Sequence, residues 1–127
     1  MNEDNYKTGR EGEEIIRNYL KKNGIPFFQA DIIFKTIEGW FLAEIKKQEM
    51  YEPPPFWGHG LPDWQIKARL KFQKEMNVRA VLYIIDKKTE IVYWQYMDEL
   101  IKGEQYQTHG KQPRLIFPIE NFNILEL

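Results

Sequence analysis

Three carboxylates and a lysine stand where their side chains could act together. Residues 41–49 read FLAEIKKQE. Up to Ile45 this is the pattern of a buried strand, yet Glu44 sits inside it and Lys46 follows two places on. Strand side chains alternate between faces, so Glu44 and Lys46 point the same way. A carboxylate among apolar neighbours is costly unless something pairs with it. Taken alone, the two are also explained by an ordinary salt bridge at a strand end. Asp31 opens the apolar run Ile32, Ile33, Phe34, although aspartate is depleted in strands. A turn residue at the strand boundary is the plain alternative. At about 100° per residue, Glu13 falls on the same helical face as Ile16 and Leu20; the alternative is a first-turn glutamate favoured by the helix dipole. If the 31–36 and 40–46 runs pair as a hairpin, Asp31 approaches Glu44 and Lys46, and Glu13 arrives from the helix. Carboxylates without cysteine or clustered histidine suit a hard cation, Mg²⁺ or Mn²⁺. A lysine beside such a cation orients or helps deprotonate a water, or stabilises charge developing on a phosphate. That combination serves phosphodiester hydrolysis.

The elements that must position these residues follow from pattern and punctuation. Thr8 and Glu11 fit a capping box that starts a helix over 8–23, ended by Asn23-Gly24. Two strand-like runs follow, 27–36 and 40–47, with Glu38-Gly39 as a tight turn. Residues 48–62, QEMYEPPPFWGHGLP, hold three consecutive prolines and two glycines, which predicts a long irregular loop. Pro62 and Asp63 start a second helix over 64–76. Strands are expected at 78–85 and 90–96, with the polar turn 86–89 between them. A short helix at 97–102, a polar loop at 104–113 and one or two short strands over 115–127, broken by Pro118, complete the chain. The order α-β-β-α-β, then β-α-β, predicts one α/β domain over 1–127, with a mixed central sheet flanked by helices.

Composition sets the limits. The 127 residues suit one domain, and 43% hydrophobic with 15% aromatic residues is enough for a packed core. There is no cysteine, so no disulfide scaffold, thiolate metal site or cysteine nucleophile exists. The opening MNEDNYKTGREGEE has no apolar stretch, so no signal peptide is expected. No apolar run approaches the about 20 residues of a membrane span. With 18 basic and 19 acidic residues the net charge is −1, which leaves a polyanionic partner open. Between Gln65 and Arg79, however, five basic residues face one acidic one, a local patch compatible with nucleic acid. Lys67, Lys71 and Lys74 share a helix face there, either as a solvated stripe or as backbone contacts. His59 is a candidate substrate contact. Trp57, with Phe56 and Tyr51, either stacks on bases or pins the proline-rich loop to the body. No phosphate-cradling glycine loop and no Ser/His/Asp arrangement is present, and no small-molecule organic cofactor is expected.

With these motifs in order, the sequence resembles the PD-(D/E)XK nuclease superfamily. GREGEEIIRNYLKKNG is similar to the first helix of small members related to Holliday-junction resolvases. Asp31 matches the motif's aspartate, EIK at 44–46 its (D/E)-x-K, and QIKARLKF the following helix, with Gln65 at a recurrent glutamine. The resemblance covers about Gly9 to Ile85. It implies a restriction-endonuclease-like αβββαβ core over roughly 8–86, with 87–127 as an extension. It also implies Mg²⁺ (or Mn²⁺) held by Asp31, Glu44 and the carbonyl of Ile45, and Lys46 positioning the attacking water. Glu13 would serve a second metal or a metal-bound water, and Gln65, with Lys67, would support the site. The implied activity is a metal-dependent endonuclease acting on DNA in the cytoplasm of a bacterial or phage-infected cell. Two alternatives stand beside it: a Holliday-junction resolvase, which requires a homodimer, and a non-catalytic nucleic-acid-binding protein on a nuclease-like fold. A purely structural small domain would leave the inward-facing charges unexplained.

Overall fold

The structure, a computed structural model, describes residues 15, 18–25 and 31–126. Strand β1 (Ile32–Thr36) turns through Ile37 and Glu38 into β2 (Gly39–Gln48). The hairpin is antiparallel, with Ile32 opposite Ala43 and Thr36 opposite Gly39. The turn thus lies one residue earlier than Glu38-Gly39. Thr36 Oγ1 accepts the Glu38 N–H at 3.1 Å, and Gly39 takes φ 132°, a conformation closed to most side-chain-bearing residues. After β3 (Gly58–Pro62) comes α1 (Asp63–Met76), then β4 (Arg79–Asp86). Strand β4 lies parallel to β2, with Leu42, Glu44 and Lys46 opposite Ala80, Leu82 and Ile84. A parallel pair needs a crossover, and α1 supplies it. Asn77 ends α1 in the left-handed region at φ 54°, which asparagine tolerates better than most residues. Then follow β5 (Val92–Tyr96), α2 (Met97–Leu100), β6 (Tyr106–Gln107), β7 (Arg114–Pro118), a 3₁₀ turn at Ile119–Asn121 and β8 (Asn123–Leu125). These build a mixed five-stranded sheet, β1-β2-β4-β5-β8, and a second sheet of three strands, β3-β7-β6. The coarse class is therefore α/β, as expected.

The two faces of the large sheet differ. On the α1 face Ala80, Leu82 and Ile84 bury against Leu61, Ile66, Tyr93, Met97, Leu100 and Phe117. On the other face, among the described residues, Phe41, Ala43 and Val81 are covered by half-buried Phe34, Tyr83, Trp94 and Tyr96. Phe34 stacks on Phe41 at 5.2 Å and Trp94 meets Tyr96 edge-on at 5.4 Å, leaving a shallow groove of about 190 Å³. Helices α1 and α2 both lie on the first face. Of the helix expected over 8–23, residues 18–22 are helical and Tyr19 is exposed; most of its first half lies outside the described residues. Among the described residues no helix is long and apolar enough to cross a membrane.

One expectation needs correction. The 48–62 loop is not irregular throughout: Gly58–Pro62 is a strand paired with β7. The glycines that argued against a strand are what permit it. A Cβ on Gly60 would lie 1.8 Å from Leu115 O, and one on Gly58 2.2 Å from Phe117 O, so only glycine lets β7 come this close. The segment 87–127 packs into the same core. Tyr93, Met97, Leu100, Phe117 and Phe122 belong to the same core as Ile66 and Leu82.

Candidate functional site

Asp31 precedes β1, and the register of the hairpin puts it opposite Glu44. Its Oδ2 accepts the backbone N–H of Ile45 at 2.8 Å. The N–H and C=O of one strand residue leave on the same side. The Ile45 carbonyl therefore also points to the β1 side, beside Asp31 and past the first residue of that strand. Period two then sends Glu44 and Lys46 to the α1 face. Glu44 is 3% exposed, and what receives it there is Arg69 of α1. Arg69 Nε donates to Glu44 Oε1 at 2.6 Å, and Nη2 contacts the same oxygen. Burial pushes the Glu44 carboxyl above its ordinary value and Asp31 adds to this, while Arg69 and Lys46 oppose it. Each carboxylate thus has one oxygen held by the protein. The other, Asp31 Oδ1 and Glu44 Oε2, has no hydrogen bond among the described residues.

Gln65 lies one helical turn before Arg69. Its Oε1 is shielded from water and has no partner among the described residues, and such an atom asks for a donor or a cation. The structure therefore brings together Asp31, Glu44, Ile45 and Lys46, with Arg69 on Glu44; Gln65 is placed only on the same helix as Arg69, one turn before it. Glu13 lies outside the described residues. Among those residues no three acidic, histidine or cysteine side chains gather as a metal site. The donor set, two half-free carboxylates and a carbonyl, fits a hard cation by chemistry, with Arg69 competing for Glu44.

The nucleic-acid candidates fare unequally. His59 is fully buried and cannot touch a nucleic acid where it stands, because the strand it occupies folds inward. Its Nδ1 is 2.9 Å from Gln48 Oε1 and its Nε2 3.2 Å from Asp86 Oδ2. Burial lowers its pKa against the pull of Asp86. Gln48 in turn pairs both ways with Gly60, donating to its oxygen and accepting from its N–H, at 3.1 Å each. This network ties the two sheets together, and the sequence reading missed it. Lys67 and Lys71 are exposed but engaged along the helix, with Asp63 at 2.8 Å and Glu75 at 4.0 Å. Lys74 and Trp57 are exposed. The partner that mattered most, Arg69, was visible at i+4 from Gln65 yet passed as one more cation of the basic patch. At the far end of α1, Arg79 forks onto Asp98 at 2.9 and 3.1 Å and lies 3.6 Å over the Tyr96 ring, clamping α2 to β4. Comparison with known proteins gives no match to a family model, to a curated protein or to a solved structure.

Proposed function

We propose that the chain is a metal-dependent endonuclease that hydrolyses DNA phosphodiester bonds on a restriction-endonuclease-like core. One observation carries the reading. Among the described residues Asp31 and Glu44 each keep one oxygen without a hydrogen bond, with the Ile45 carbonyl on the Asp31 side of β2 and the Lys46 charge close to Glu44. Asp31, Glu44 and Ile45 would hold Mg²⁺ or Mn²⁺. Such a cation supplies Lewis-acid polarisation of a phosphate oxygen and a water acidic enough to attack. Arg69 and the Ile45 N–H fix the orientation of the two carboxylates, as outer partners do around metal ligands. Lys46 places positive charge where the phosphate gains negative charge, and Gln65 would support the site from the first turn of α1.

The test is cleavage of plasmid DNA with Mg²⁺ or Mn²⁺ by wild type, Asp31→Ala, Lys46→Ala and, as an exposed control, Lys47→Ala. Wild type and Lys47→Ala are expected to cut, and the other two to lose at least about a hundredfold. Equal cleavage by all four proteins, or none by wild type, removes the proposal. The Arg69–Glu44 pair favours a second reading, a non-catalytic nucleic-acid-binding protein in which the arginine stands permanently in place of a metal. Calorimetric titration with Mn²⁺ separates the two, because only the first requires binding that Asp31→Ala abolishes. A junction resolvase remains a narrower form of the first reading, recognised by dimerisation and by preference for four-way DNA over duplex.

A further inference from the structure

Among the described arginines, Arg69 and Arg79 have carboxylate partners. Arg114 in β7 has none. Its Nη2 donates to Gly60 O at 3.2 Å, its guanidinium lies 6.0 Å from the Tyr51 ring, and its Nε is shielded from water without an acceptor. A partly buried cation with an unmet donor is costly unless an anion completes it. The only other unpartnered buried side-chain atom among the described residues is Gln65 Oε1. The two are neighbours in the fold. Arg114 pairs with Pro62, the residue before α1, and Gln65 is in the first turn of that helix.

Distance to the site follows from one shared acceptor. Gly60 O takes hydrogen bonds from both Arg114 Nη2 and Gln48 Nε2. The guanidinium and the Gln48 amide therefore lie within about 6 Å, two hydrogen-bond lengths. Gln48 follows Lys46 by two residues on the same face of β2. Arg114 thus stands beside Gln48, at the end of the row that runs Glu44, Lys46, Gln48. Gly60 holds one corner of the guanidinium fork, Nε is shielded, and the remaining Nη N–H groups are left for an oxyanion.

We propose that Arg114 is a phosphodiester-binding residue of this site, taking a non-bridging oxygen of the nucleic-acid backbone beside the phosphate that is cut. The proposal rests on the nuclease reading and adds to it a contact from the second sheet. A planar fork of donors matches a phosphate better than the point charge of a lysine does, and the Gly60 anchor keeps it from collapsing onto a nearby carboxylate.

The test is anisotropy of a short fluorescein-labelled DNA duplex, without divalent cation so that it stays intact, over a salt series. Arg114→Gln, which keeps a donor for Gly60 O but no charge, is expected to bind about tenfold more weakly. Its log–log salt slope should be shallower by about one unit. Arg114→Lys keeps the slope but, lacking the fork, binds several-fold more weakly. An Arg114→Gln protein with wild-type slope overturns the inference, whether or not its affinity falls, because a structural role does not change the number of phosphates neutralised. If Arg114→Gln does not fold, Arg114→Lys decides, and wild-type affinity there also overturns it. Failure of wild type itself to bind the duplex strikes the nuclease reading instead.

Discussion

Replacing Arg69 by methionine isolates the energetic centre of the site. Glu44 is 3% exposed and Arg69 6%, so the substitution leaves a carboxylate without its counter-ion in a nearly dry position. Breaking such a pair from one side costs about 3–5 kcal/mol. The variant has one escape, which is to protonate Glu44, whose pKa burial already pushes up. Each unit of further rise corresponds to about 1.4 kcal/mol, so a loss of about 3 kcal/mol means a rise of about two units. The sign follows. A carboxyl whose folded pKa exceeds its unfolded value destabilises the fold once pH rises past the unfolded value. The gap between wild type and Arg69→Met should therefore be widest near neutrality and close as pH falls toward the ordinary glutamate range. Urea melts at a series of pH values, compared at equal m, read this directly. Adding Glu44→Gln to Arg69→Met should recover most of the loss, a coupling that a double-mutant cycle quantifies. A loss under about 1 kcal/mol at neutral pH, or single losses that merely add, would refute the account of Glu44 as a buried charge held by Arg69.

Gly60→Ala should cost about 2–3 kcal/mol, because the new Cβ would meet the backbone oxygen of Leu115 at 1.8 Å and a backbone cannot swing aside; chemical denaturation with a wild-type-like melt would show that β3 and β7 part more easily than their spacing implies. On acidification, two carboxyls should release stability together. Arg79 hydrogen bonds hold Asp98 below the ordinary aspartate range, and although burial works to raise Asp86, the N–H groups of Thr89 and Lys88 and the Thr89 hydroxyl bring it below that range as well. A depressed folded pKa stabilises above the unfolded value, near 3.8, and that stability is lost as pH falls beneath it. Far-ultraviolet circular dichroism through this window should show unfolding, shallower in Asp98→Asn; stability that stays flat there would count against both assignments.

The hairpin, the crossover helix and the parallel strand were legible because each carries a local signal. Alternation marks β2, Pro62-Asp63 opens α1, and a turn follows β4. The face shared by Glu44 and Lys46 came from strand period alone. What did not come through depends on contacts between residues distant in sequence. Strand β3 reads as loop because Gly58, Gly60 and Pro62 have low strand propensity; its pairing depends on how closely β7 approaches, some fifty residues later. His59 looked like a loop side chain free to meet substrate, and burial between Gln48 and Asp86 removes it from that role. Arg69 looked like solvated charge because nothing in a linear pattern says which cation of a basic patch turns inward. Arg114 carried no signal at all until its lack of a counter-ion could be seen.

The hydrogen bond from the Ile45 N–H to Asp31 makes the site hostage to a count of residues. Asp31 reaches Glu44 because two residues, Ile37 and Glu38, separate β1 from β2 and fix which pairs face each other. Sliding β1 by one residue would carry Asp31 to the aromatic face of the sheet and leave Ile45 without its acceptor. The apolar residues of so short an edge strand could still find company on either side. Insertions and deletions at this turn therefore separate two properties that substitutions in the core would change together: whether the chain folds, and whether its acidic residues meet.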